Sequence, residues 1–175
     1  MGLKDATVRI RRLAQVGSGA FVEKDLIVTA GHVLDAGGRD PVCSEFSIVH
    51  PVSGHKWSAI AIWIDPRWRN ESDPAGDIGL IRVRPSTTTT VLVCGAFTGG
   101  VVTRFGYPAS PHDPLGASAT GSVTLTASLL YATDPNMQIP GGASGGPLVE
   151  SQGQLVGVGT GLGVSCRRAL QSEEI

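Results

Sequence analysis

The stretch Gly142-Ala143-Ser144-Gly145-Gly146-Pro147 encloses one hydroxyl among small residues, just ahead of the strand-like Leu148-Val149. Without a Cβ, Gly142 and Gly145 admit positive φ and can bring backbone N–H groups close to a bound group. Two N–H groups aimed at one point make an oxyanion hole, and a hydroxyl beside them is a candidate nucleophile. The competing reading is a glycine-rich turn with an incidental serine. Two other stretches carry groups suited to act on that hydroxyl. Thr29-Ala30-Gly31-His32 sets a histidine just after an apolar run, and imidazole titrates near neutrality, as a general base should. Asp77-Ile78-Gly79-Leu80-Ile81 sets a carboxylate at the start of another apolar run. Asp65 and Asp73 compete for that role, but each lies in a polar loop just before a proline. His50, His55 and His112 read as surface or structural groups. Cys43, His50 and His55 match no strong zinc spacing, so no metal and no cofactor are expected. No cysteine stands in a glycine-rich turn, which sets aside a thiol nucleophile.

The elements that must position these groups are short. Thr7 to Leu13 alternates, with Val8 and Ile10 on one face and Arg9, Arg11 and Arg12 mostly on the other, which predicts a half-exposed strand. Val16-Gly17-Ser18-Gly19 reads as a turn. Ala20 to Val22 and Leu26 to Ala30 read as a hairpin, followed by one helical turn at Gly31 to Leu34. Ser44 to His50, Trp57 to Ile64 and Asp77 to Val83 are strand candidates rich in β-branched and aromatic residues. Asp65 to Gly76 reads as a surface loop. Arg84-Pro85 followed by Ser86 and four threonines is the best linker. Strand character resumes at Val91 to Cys94, Gly100 to Tyr107 and Ser118 to Tyr131, then in a last hairpin, Pro147 to Glu150 and Leu155 to Thr160. Only Cys166 to Glu174 has helical composition. About a dozen short strands in two halves predict an all-β chain, residues 1–84 and 91–175, with a short C-terminal helix.

Composition narrows the partners. A formal net charge of −1 argues against nucleic acid or an anionic membrane as a general partner. The 175 residues suffice to bury a core, and 24 glycines fit many tight turns. Three cysteines, Cys43, Cys94 and Cys166, make no disulfide framework and read as three buried or half-buried thiols. The first residues have no apolar signal region and no run is long enough to span a bilayer, so a cytoplasmic chain is expected. A secreted mature domain given a start Met would look the same.

The serine stretch matches G-x-S-x-G, the nucleophile elbow of α/β-hydrolases, in which the histidine follows the serine. Here no histidine follows Ser144, and the all-β pattern opposes that fold. In the order His, Asp, Ser, the motifs TAGH, DIGLI and GASGGPLV resemble those of the trypsin-like serine peptidases. Gly17-Ser18-Gly19, Phe105-Gly106-Tyr107-Pro108 and Gly153 to Val158 extend the resemblance over about residues 15–162, most of all to the bacterial, HtrA-like branch.

The resemblance implies two packed antiparallel β-barrels, with His32 and Asp77 from the first meeting Ser144 from the second. It implies a serine endopeptidase acting on polypeptides, with the Gly142 and Ser144 N–H groups as the oxyanion hole. A catalytically silent binding or scaffold module of the same fold is the alternative, and an esterase would share the chemistry. The family's primary pocket implies a base at Gln138 and a wall from Val158 to Leu162, with Thr160, Gly161 and Leu162 as substrate-binding residues. Gln138 is neutral and no acid lies between Asn136 and Leu148, so cleavage after a neutral, mainly apolar residue is expected. Asp134 is the acid that a shifted loop would bring closest. Ala143 replaces the Asp that pairs with a freed N-terminus in zymogens, and Val33 replaces the half-cystine beside the histidine. Both departures point away from a secreted zymogen, and leave control to partner domains or subunits outside this chain.

Overall fold

Alternating apolar residues and frequent glycines divide the chain into thirteen short strands among the described residues. The computed structural model describes residues 2–35, 37–86, 89–109, 115–126, 129–132, 137, 141–160 and 164–165. β1 (Thr7–Arg12), β2 (Gln15–Glu23), β3 (Leu26–Thr29), β4 (Phe46–Val49), β5 (Lys56–Trp57), β6 (Ala59–Ile64) and β7 (Gly79–Val83) form one antiparallel sheet, ordered β5-β4-β1-β2-β3-β7-β6. β8 (Gly99–Gly106), β9 (Ala117–Thr126), β10 (Leu129–Ala132), β11 (Pro147–Glu150), β12 (Leu155–Val158) and β13 (Val164–Ser165) close into a barrel, ordered β10-β13-β12-β11-β8-β9. The fold is all-β, with three short α-helices among the described residues: α1 (Leu3–Ala6), α2 (Gly31–Leu34) and α3 (Pro66–Glu71). The helix expected over 166–174 lies outside the described residues.

Burial ties the two sheets together. The larger core gathers Val8, Ile10, Phe21, Ile27, Ile48 and Leu80 of the first sheet, and also takes Leu92, Val149, Leu155 and Val158 from the second half. A smaller cluster of Val102, Val123, Met137, Leu148 and Val156 fills the barrel. On β11 the period-two alternation sends Leu148 to the barrel cluster and its neighbour Val149 to the shared core. Residues 92–95 run between the halves: Leu92 N–H donates to Phe21 O, and Gly95 N–H to Leu155 O. Where a strand was expected at Val91 to Cys94, only one bridge forms, between Cys94 and Leu155.

Several expectations change for physical reasons. β1 is not half-exposed: Thr7, Val8, Arg9 and Ile10 are all buried, because the barrel covers the face that carries Arg9. The Arg9 guanidinium lies 5.6 Å from the Tyr107 ring centroid and donates to Pro108 O. Gly17-Ser18-Gly19 is not a turn but the middle of β2, where a Cβ at Gly17 would strike Val33 and one at Gly19 would strike Ile27 and Ile10. Residues 65–76 hold α3 and a 3₁₀ turn, Pro74–Gly76, not an irregular loop. Cys94 is disulfide-bonded while Cys43 is a free thiol, so the three-thiol reading is corrected. Cysteine counting cannot see which residues the closure of a barrel brings together.

Candidate active site

His32 is the second residue of α2, two residues after the N-cap Ala30 that follows β3, and its position is held from several sides. A Cβ on the preceding Gly31 would crowd the Trp68 ring and Ile78 N, so glycine lets α2 sit against α3 and the start of β7. Both oxygens of Asp77 engage His32: Oδ1 accepts the backbone N–H at 2.8 Å, and Oδ2 lies 2.8 Å from ring Nδ1. The carboxylate is buried, while the imidazole is one-third exposed. The carbonyl of His32 accepts from Gln15 Nε2 at 2.7 Å, and the Trp68 ring stands edge-on at 6.1 Å. A carboxylate facing Nδ1 favours the tautomer with the proton there, which leaves Nε2 free to accept.

The two rival carboxylates are occupied. Asp65 is the N-cap of α3 and accepts from Arg67 N–H at 2.9 Å. Asp73 caps the 3₁₀ turn and accepts from Ala75 N–H at 2.9 Å. Both precede a proline at the first helical position, a capping signal readable in the Asp-Pro pairs. Asp77 follows that turn, with Gly79 opening β7 two residues later.

Ser144 is fixed by its backbone. Its carbonyl accepts from Ser18 N–H at 2.7 Å, and Gly145 N–H donates to Gly159 O at 2.6 Å. Gly145 has φ +86, and a Cβ there would overlap Ser18 O and Thr29 Oγ1. The serine loop is thus pressed onto the strand end that leads, through Thr29, to His32. No hydrogen bond joins Ser144 Oγ to the His32 ring among the described residues. Gly142 has φ +93, and a Cβ there would overlap the Ala109 backbone. Its N–H and that of Ser144 have no intramolecular acceptor among the described residues. Ala143 between them is fully buried against Gly106.

Of the pocket residues named from sequence, Thr160 is buried. Gln138, Gly161 and Leu162 lie outside the described residues. His50 is buried between Ser53 Oγ and the carbonyl of Lys4, and the His55 ring packs tilted against Trp57, with centroids 4.3 Å apart. His112 lies outside the described residues. No three metal-ligating side chains converge among the described residues.

Sequence reasoning missed Ser18. This fully buried side chain receives the Tyr107 N–H at 2.8 Å and donates to Gly142 O at 3.2 Å. Thr29 Oγ1 donates to its carbonyl at 2.6 Å. One residue of β2 thereby links the strand before His32, the start of the Tyr107–Ala109 segment and both ends of the Gly142–Ser144 loop. The only sequence signal was a serine between two glycines that have no room for a side chain.

An all-β chain of two antiparallel sheets, with a buried carboxylate on a histidine and a glycine-bounded serine loop packed on the strand end before that histidine, has the architecture of chymotrypsin-fold serine proteases. The sequence model of the trypsin-like peptidase domain matches residues 17–158, and the chain belongs to that family. No curated protein matches it in sequence. Among solved structures, a Glu endopeptidase crystallised with MPD superposes with a TM-score of 0.77 at 16% identity, over 96% of this chain and 88% of that one. The thermostable serine protease AL20 from an extremophilic microorganism gives 0.72 at 17% identity, over 98% and 100%. A scabies mite inactivated protease paralogue gives 0.70 at 19% identity, over 91% and 85%. At these identities the likeness speaks for the fold.

Proposed function

We propose that the protein is a serine endopeptidase in which Ser144 is the nucleophile, His32 the general base and Asp77 its orienting carboxylate. The observation that carries this reading is the two-point Asp77–His32 contact beside the serine loop pinned to Ser18. Ser144 Oγ would attack the scissile carbonyl carbon while its proton passes to His32 Nε2. The oxyanion would be met by the N–H groups of Gly142 and Ser144, both without an acceptor among the described residues. The C–N bond then breaks as His32 gives that proton to the leaving amine, leaving an acyl ester on Ser144. Water adds to the ester, His32 takes its proton, the C–Oγ bond breaks and Ser144 regains a hydrogen. Asp77 keeps the Nδ1–H tautomer and stabilises the imidazolium without itself accepting the proton.

A catalytically silent module is the second reading. The unmade Ser144–His32 hydrogen bond favours it, and one protein of similar fold is an inactivated protease paralogue. Hydrogen bonds of this kind are often long without substrate and tighten in the complex, so the first reading stands. The Cys94 disulfide favours an oxidising compartment over the cytoplasm. The test is labelling with a fluorophosphonate, with mass spectrometry of the adduct. Modification of Ser144 in the folded wild type, absent in Ser144→Ala, is expected. Folded wild-type protein that neither labels nor cleaves peptides would establish the silent module. Peptide and ester substrates assayed side by side separate a peptidase from an esterase.

A further inference from the structure

Arg104 is a cation that the proposed catalytic residues do not use. It lies on β8, two residues after Val102, and therefore shares that residue's face toward the barrel cluster of Val123, Met137, Leu148 and Val156. Its cross-strand partners agree: Arg104 is opposite Leu148 on β11 and Ala119 on β9, and both pack on that cluster. An arginine has thus been placed on the inside of a small barrel. Its head lies at the end that carries the serine loop. A Cβ on Gly159 would come within 2.7 Å of Arg104 Nε and 3.3 Å of Cζ, so the guanidinium covers the Cα of Gly159. Gly159 in turn donates to Gly146 O at 2.7 Å and accepts from Gly145 N–H at 2.6 Å. The cation is therefore one peptide away from the Ser144 loop and one residue from Thr160, in the expected pocket wall.

Among the described residues no carboxylate lies within ion-pair distance of it, and Nε is enclosed without a hydrogen-bond partner. Burial lowers its pKa from the ordinary value, but guanidinium stays protonated at any working pH. The Arg104 side chain is half-buried, and a partly desolvated cation with an unpartnered Nε is costly unless something supplies the anion. A neighbouring carboxylate presented by a bound chain would do so through paired N–H···O contacts.

We propose that Arg104 is the specificity-determining residue of the primary pocket, and that the peptidase cleaves after an acidic residue, Glu or Asp. This rests on the assignment of Ser144 and replaces the expectation of a neutral apolar residue. The lack of an acid between Asn136 and Leu148 disfavours a basic residue at the cleaved position, and the cation on β8 selects an acidic one.

Two measurements keep this inference apart from the catalytic one. In the first, Ser144→Ala protein is titrated with otherwise identical peptides ending in Glu, Gln or Leu. The Glu peptide should bind about 10²-fold more tightly than the Gln peptide, the usual worth of one charge-assisted contact pair. The preference should fade as pH falls through about 4.3, where the glutamate side chain protonates. Adding Arg104→Met should erase it, and Arg104→Lys should keep part of it. Should Arg104→Met fail to fold, the Glu-to-Gln ratio and its pH dependence decide. In the second, wild-type kcat/KM is profiled across a peptide library and should peak at Glu or Asp at the cleaved position. Equal binding of the Glu and Gln peptides, or a library peak at Leu, overturns the proposal even with turnover intact. Selective Glu binding without any turnover would support the Arg104 site and refute the catalytic assignment instead.

Discussion

Ser18→Ala probes how the two halves of the molecule set the oxyanion hole. The change removes one oxygen and leaves the backbone of β2 in place, including Ser18 N–H to Ser144 O and Thr29 Oγ1 to Ser18 O. Two groups lose their partner. The Tyr107 N–H, in a fully buried residue, loses an acceptor at 2.8 Å, which costs about 1–3 kcal/mol for an unsatisfied buried donor. The Gly142 carbonyl loses a longer 3.2 Å donor, worth about 0.5–1.5 kcal/mol. Together they predict a loss of about 1.5–4.5 kcal/mol. For a chain of this size that lowers Tm by roughly 3–18 °C.

The same variant should act on turnover through one specific atom. Gly142 carries the carbonyl that Ser18 holds and also an N–H proposed for the hole, and φ +93 lets that residue rotate at little cost. Complete loss of a hole donor costs about 10²–10³ in kcat, so a loosened one should cost about tenfold, with KM little changed. The assay is steady-state hydrolysis of a peptide ester at a temperature well below both midpoints, beside a thermal melt. An unchanged Tm would refute the stability argument. A lowered Tm with kcat untouched would show that Ser18 braces the fold without setting the hole.

Other expectations follow from neighbouring contacts. Asp77→Asn should lower kcat by about 10⁴, the cost that the same constellation shows elsewhere, because Nδ1 loses its anion and the tautomer is no longer held. Asp65→Asn and Asp73→Asn, which alter only helix caps, should change turnover far less; kcat values from the three variants decide. Burial raises the Tyr107 phenol to about 12. Between about pH 10 and 12 the unfolded chain releases this proton while the folded one keeps it, so stability falls as pH rises. Tyr107→Phe should flatten that part of the wild-type Tm curve over pH 9 to 12, and parallel curves would remove Tyr107 as the cause. Thiol titration in denaturant should give one free thiol per chain before reduction and three after it, with a lower Tm for the reduced protein; three thiols at the outset would contradict the Cys94 bond.

How much of this was legible in sequence depends on whether a residue's meaning is local. The candidates Ser144, His32 and Asp77 carry theirs in adjacent residues, the flanking glycines and apolar runs, and their order in the chain is enough to exclude the nucleophile elbow. The short strands and the hairpins over Ala20 to Ala30 and Pro147 to Thr160 were equally local, set by alternation and turn residues. The caps at Asp65 and Asp73 were also local, but the Asp-Pro pairs were read as loop punctuation.

Arg9, Ser18 and Arg104 were not legible, because each depends on what another strand brings to it. Arg9 follows the outward phase of β1 and is buried only because Tyr107, ninety-eight positions later, arrives over it. Ser18 has no function without Gly142 O and Tyr107 N–H, which belong to the other half. In sequence, Arg104 is an ordinary charged residue in an alternating strand. Register opposite Leu148 turns it into the barrel, and the missing side chain of Gly159 gives it room beside the serine loop. Pattern reading assigns a charge to the solvent face by default, so it overlooks a cation turned inward, where a charge has the most to say about a substrate.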